Sequence, residues 1–139
     1  MTGLPNYRPR QLSLGPLEQE ILNIVWDLGT ATVKDIHQRI LKDPDRELAY
    51  TSVTTVLKRL TNKGWLTCKK DNKIHVWSAL INREQARSLQ AYEQLNRFLS
   101  VGNADMVAAF ADELDQTSLD KLDAIAQRLR EMRQQREGL

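Results

Sequence analysis

The stretch Tyr50–Leu80, YTSVTTVLKRLTNKGWLTCKKDNKIHVWSAL, constrains the fold more than any other part of this 139-residue chain. Val53, Val56, Leu57 and Leu60 recur at helical spacing. That predicts a helix with one apolar face and leaves Thr51, Ser52, Thr54, Thr55, Lys58 and Arg59 largely on the other. Gly64 suits the left-handed residue that ends a helix. Two strands, about Trp65–Lys70 and Lys73–Ala79, then flank Asp71-Asn72, a pair that tolerates the positive φ of a two-residue hairpin turn. A helix offering hydroxyls and cations, followed by a lysine-studded β-ribbon, has the parts of a winged helix-turn-helix that reads DNA.

The flanking segments fit that unit. Residues 1–13 are polar and broken by Pro5 and Pro9, and read as a flexible basic arm in which Arg8 and Arg10 are candidates for a minor groove. A first helix begins with Gly15 as N-cap and Pro16 at its first position, buries Leu17, Ile21, Leu22, Ile24, Val25 and Leu28, and stops at Gly29. Thr32 caps a second helix with Asp35 as its capping-box partner, and Val33, Ile36 and Ile40 point inward. The third helix, at Thr51, starts after the turn KDPDRE, with no preferred capping residue at Ala49 or Tyr50. Trp26, Trp65 and Trp77 sit among apolar neighbours and read as core. His37 reads as a surface histidine.

From residue 83 the pattern is helical. A fourth helix, about 83–99, carries Leu89, Tyr92, Leu95 and Leu99. A fifth, about 104–114, aligns Met106, Phe110 and Leu114. A sixth, capped by Ser118, aligns Leu119, Leu122, Ile125, Leu129 and Met132. Such stripes have little partner surface within the chain, so Leu89, Tyr92, Leu99, Met106, Phe110, Leu119, Leu122, Ile125 and Leu129 are expected to meet a second copy. The expected architecture is mainly α. It has a winged helix-turn-helix of three helices plus a β-hairpin wing over 14–82 and a C-terminal helical dimerisation domain over 83–139.

The net charge of +2 says little, but its distribution says more. Residues 1–82 hold 12 basic and 8 acidic side chains and residues 83–139 hold 8 and 10. Within 51–73 six cations, Lys58, Arg59, Lys63, Lys69, Lys70 and Lys73, stand against Asp71. One cysteine, Cys68, excludes an intrachain disulfide and suits a reducing compartment. With no apolar run near bilayer length, no membrane insertion is expected and the cytoplasm is the expected location. There is no glycine-rich phosphate loop and no nucleophile with an evident His partner, so neither enzymatic activity nor a cofactor is expected.

On these residues the chain resembles the BlaI/MecI/CopY family of penicillinase-repressor-like regulators. The likeness is carried by GPLEQEILNIVWDLG, LAYTSVTTVLKRLTNKGWL, KKDNKIHVWSAL and MVAAFADELDQTSLDKL, in that order. It implies a homodimeric transcriptional repressor whose winged helices each hold half of a dyad-symmetric double-stranded DNA operator. Base-reading and phosphate-touching positions of the family fall on Thr51, Ser52, Thr55 and Arg59. Thr54, Lys58 and the wing residues Lys69, Lys70 and Lys73 join them as candidate DNA contacts, the lysines toward phosphates. Thr51 stands where a lysine is common in the penicillinase repressors.

The resemblance also implies two routes of release. One is cleavage in the fifth helix, set off by a regulatory metalloprotease system, at the bond matching Ala109–Phe110. The other is direct metal sensing, for which this chain lacks the family's C-terminal cysteine motif. If the hairpin closes at Asp71-Asn72, Cys68 and His75 face each other across the strands, an incomplete metal or redox site. Two alternatives to DNA repression by proteolytic release therefore stand beside it: release by metal or redox sensing at Cys68, or a winged-helix module that binds protein.

Overall fold

The computed structural model describes residues 4–138. In chain order the elements are α1 (Pro16–Leu28), β1 (Thr30–Ala31), α2 (Val33–Ile40), α3 (Tyr50–Lys63), β2 (Leu66–Asp71), β3 (Ile74–Ala79), α4 (Arg83–Val101), α5 (Ala104–Ala111) and α6 (Gln116–Glu137). They form two compact units, divided between Asn96 and Arg97 within α4.

Local chemistry sets most element ends in the first unit. The Gly15 N–H donates to Glu18 Oε1 at 2.8 Å, and Pro16 opens α1 without sacrificing a helical hydrogen bond. Thr32 and Asp35 form a reciprocal capping box on α2, at 3.1 and 3.0 Å. Gly64 ends α3 at φ 91°, and the Trp65 N–H donates back to the Leu60 carbonyl at 3.0 Å, a Schellman closure.

The three strands form an antiparallel sheet in the order β1-β3-β2, with Thr30 opposite Ser78 and Leu66 opposite Ala79. Side chains from α1, α2, α3 and the sheet close one core, in which Ile21, Leu22, Val25, Ile36, Val53, Leu57, Leu60 and Trp65 are fully buried. Trp77 is buried as well. Trp26 is half-buried against the core, its Nε1 donating to the Ile81 carbonyl at 2.9 Å with the Arg83 guanidinium 5.5 Å from its ring centroid. Ala86 and Leu89 of α4 belong to this same core. Leu89, grouped with the tail stripe on spacing alone, is thus fully buried in the first unit and unavailable to a second copy.

The wing turn and the arm also differ from the sequence reading. The hairpin turns one residue later than expected, at Asn72 (φ 49°) and Lys73 (φ 68°), with Asp71 opposite Ile74. Asn72 takes a left-handed conformation as readily as Asp71-Asn72 would have supplied it, and Lys73 follows at a steric cost. The arm, expected to be flexible, lies against the first unit from Pro5 to Ser13; residues 1–3 of it fall outside the described residues. Pro5 and Pro9 are buried, and the Gln11 N–H donates to the Lys63 carbonyl at 3.1 Å.

In the second unit, Asn103 caps α5 by accepting from the Met106 N–H at 3.0 Å. Asp115, not Ser118, caps α6: it accepts from the Ser118 N–H at 2.8 Å, which holds its carboxyl below the ordinary value. The rings of Phe98 and Phe110 lie 6.0 Å apart. None of the α5 or α6 side chains is buried; Leu99, Val107, Phe110, Leu122, Ile125 and Leu129 are each 45 to 65% exposed.

Candidate nucleic-acid interface

The two faces of α3 separate cleanly. Val53, Val56, Leu57 and Leu60 are buried, whereas Thr51, Thr55, Lys58 and Arg59 are exposed and Ser52 and Thr54 are half-buried. The threonine hydroxyls are partly engaged already. Thr55 Oγ1 donates to the Thr51 carbonyl at 3.0 Å and Thr54 Oγ1 to the Tyr50 carbonyl at 3.4 Å. Each hydroxyl proton is therefore spent on the helix, leaving oxygen lone pairs and the methyl group to face outward. A shallow depression of about 300 Å³ beside α1 is lined by Leu17, Thr51, Ser52, Thr55, Val56 and Arg59.

The start of α3 has no side-chain cap: Ala49 stands in the cap position in extended conformation. His37 holds that entrance instead. Its Nε2 lies 2.7 Å from the Leu48 carbonyl, and its ring meets Tyr50 edge-on at 5.5 Å. A half-buried histidine that ties α2 to the start of α3 replaces the surface residue expected from its pattern.

Ion pairs hold four cations of the first unit. Arg46 makes a two-pronged contact with Glu20 at 2.7 and 2.9 Å, which holds that carboxyl below its ordinary value. Arg39 and Arg83 share Asp27, at 3.4 and 2.7 Å. Lys63 is drawn away from the α3 surface: its Nζ lies 2.9 Å from Glu18 Oε2 and 3.0 Å from Oε1, and it donates to the Ser13 carbonyl. The Oε2 contact is ionic without hydrogen-bond geometry. Burial of Glu18 would push its carboxyl up, but the Gly15 N–H, Lys63 and the charge of Arg59 outweigh it and hold the group below its ordinary value.

Lys63 therefore does not belong with the outward-facing cations. By contrast, among the described residues no carboxylate stands within 4.0 Å of Lys58, Arg59, Lys69, Lys70 or Lys73. All five are exposed. Unpaired positive charge thus gathers on the outer face of α3 and on the wing.

The shifted turn changes the neighbours of Cys68. It pairs with Trp77 across the ladder, and Lys70 pairs with His75. Cys68 Sγ and His75 Nδ1 meet diagonally on one face at 3.5 Å. Among the described residues no third His, Cys, Asp or Glu joins them to complete a metal-binding group. Sequence reasoning missed the ion pair of Glu18 with Lys63 and the contact by which His37 ties α2 to the start of α3. The one local sign was Glu18 three residues after Gly15, where a carboxylate reaches back to the cap.

Residues 14–131 match the model of the penicillinase repressor family. The transcriptional regulator BlaI of Mycobacterium tuberculosis is 27% identical over 120 residues, covering 86% of this chain and 84% of that protein. The methicillin resistance regulatory protein MecI of Staphylococcus aureus is 26% identical over 107 residues, covering 76% and 85%. The solution structure of the DNA binding domain of the repressor BlaI superposes with a TM-score of 0.48 at 18% identity, over 56% of this chain and 93% of that one. Among the described residues no helix is long and apolar enough to cross a membrane. With the family model spanning both its winged unit and its helical tail, the chain belongs to the penicillinase repressor family of transcriptional regulators.

Proposed function

We propose that two copies of the chain, joined through the second unit, hold their α3 helices and wings against the two halves of a dyad-symmetric DNA operator and so repress transcription. The observation that carries this reading is the cluster of five unpaired cations on α3 and the wing. Among the described residues Lys58, Arg59, Lys69, Lys70 and Lys73 have no carboxylate partner and fall together on α3 and the wing; Lys34, Lys42 and Arg87 are unpaired too, but lie singly on α2, in the turn after it and on α4. A polyanion supplies what the five lack. Arg59 offers a fork of donors to a guanine edge or a phosphate, the methyls of Thr51 and Thr55 suit thymine methyls, and the wing lysines add affinity without sequence information.

Replacing Arg59 by Ala is expected to weaken binding to the operator by about 1–3 kcal/mol, as for loss of a base-reading contact. Equal affinity of R59A and wild type at matched salt would reject α3 as the docking face. This also separates DNA reading from a protein-binding use of the same helix, which would leave salt-sensitive DNA binding untouched.

Release by proteolysis at Ala109–Phe110, triggered through a metalloprotease system, is the matching proposal for induction. The exposed, short α5 supports it, since eight residues without buried side chains open at low cost. Cutting there separates α6 from the winged unit. Work on DNA of this kind belongs in the cytoplasm, and catalysis forms no part of it.

A further inference from the structure

Residues 4–13 lie ahead of the segment matched to the family, yet they hold the C-terminal end of α3 from several sides. The Tyr7 hydroxyl donates to the Gly64 carbonyl at 2.7 Å, the Gln11 N–H to the Lys63 carbonyl at 3.1 Å, and Trp65 Nε1 to the Gln11 carbonyl at 2.9 Å. Lys63 Nζ reaches the Ser13 carbonyl at 2.9 Å. The approach is so close that a Cβ on Gly64 would stand 2.9 Å from the Arg10 nitrogen and 3.0 Å from the Tyr7 oxygen. On its other side the Arg8 guanidinium lies 5.6 Å from the Tyr92 ring centroid of α4.

These bonds satisfy the carbonyls of Lys63 and Gly64, which stand at the open end of α3 and would otherwise need water. They also remove a degree of freedom. Thr51 lies about 18 Å along the axis from Lys63, so a tilt of about 5° at the pinned end would move it by roughly 1.5 Å. That exceeds the roughly 0.5 Å within which a reading constellation has to be held.

We propose that residues 4–13 form a strap that fixes the C-terminal end of α3, with Tyr7 as a positioning residue for DNA recognition, not a DNA contact. The proposal rests on the DNA-reading function assigned above. Arg8 then serves the strap and not a minor groove.

The test uses the full chain and a duplex selected by the wild-type protein from a random-sequence pool. Tyr7→Phe removes one oxygen and no charge. It is expected to weaken binding to that duplex about 3- to 10-fold, in line with loss of one hydrogen bond. The slope of log affinity against log salt should stay unchanged, because no phosphate contact is lost. Amide exchange at Gly64 and Trp65 should become faster in the free protein. Unchanged affinity overturns the positioning role, and a shallower salt slope in Arg8→Ala overturns it in favour of direct arm contact with phosphate. If the wild type selects no duplex, the DNA reading itself fails. Exchange at Gly64 and Trp65 then decides alone whether the strap pins the helix, and unchanged exchange rejects it.

Discussion

Glu18 shows how one side chain can cap one helix and draw in a cation of another at once. It caps α1 through Gly15 and withdraws Lys63 from solvent, while the charge of Arg59 contributes to keeping it ionised. Its folded carboxyl titrates below the ordinary value of 4.5, so the stability it confers is fully present above that value and is lost as pH falls through the lower, folded one. Glu18→Gln keeps the shape and an acceptor for Gly15 but loses the charge that holds Lys63. It is expected to lower unfolding stability at pH 7 by about 1–2 kcal/mol. Denaturant titrations of both proteins from pH 7 downward check this: the gap should close below pH 4.5 as wild-type Glu18 becomes neutral. A gap independent of pH would mean that shape and not charge carries the effect. The sequence carried a local sign for only half of this residue's role. The cap depends on a neighbour three residues away, whereas Lys63 is 45 residues distant and looks like any other lysine at the end of a basic helix.

At the level of elements, legibility followed the range of the interactions. The ends of α1, α2 and α3 could be read because Gly15, Thr32 and Gly64 act within their own turns. The face of α3 could be read because four apolar residues at helical spacing leave no second choice. The cap of α6 went to Asp115 over Ser118 because both are competent and only the hydrogen-bond register distinguishes them. The strap was not legible, since its grip on α3 runs through backbone groups that polar composition does not reveal. The wing turn slipped by one residue for the reason that Asn72 fits either register, and this places Lys73 at positive φ. Lys73→Gly relieves that steric cost and is expected to raise stability by about 1 kcal/mol. If Lys73 also meets a phosphate, the same substitution lowers the salt slope of DNA binding by about 0.9. Thermal unfolding and a salt titration therefore report opposite signs for one residue, and a stabilised variant with an unchanged slope would remove Lys73 from the interface.

On the scale of the whole molecule, the two units differ in what they can bury. The first closes a core in which ten large side chains are fully buried. In the second, α6 buries nothing, and Leu122, Ile125 and Leu129 are each more than half exposed at three- and four-residue steps. Apolar helical faces of that extent need a partner surface, and a second copy brings an identical one. In the proposed dimer, joining two readers would turn the second half-site contact into an intramolecular event and raise affinity by roughly 10²–10⁴ without any new contact to DNA. Ile125→Lys places a charge in that stripe, far in sequence from α3. It is expected to give a monomer in sedimentation whose winged unit unfolds at the wild-type temperature. Affinity for a full operator should fall by that same factor of about 10²–10⁴, while affinity for a half-site duplex holds. The half-site measurement is the necessary control, because it separates loss of coupling from damage to the reader. A variant that remains dimeric would remove α6 from the subunit contact, and a monomeric variant with undiminished operator affinity would show that a single winged unit suffices to read the site.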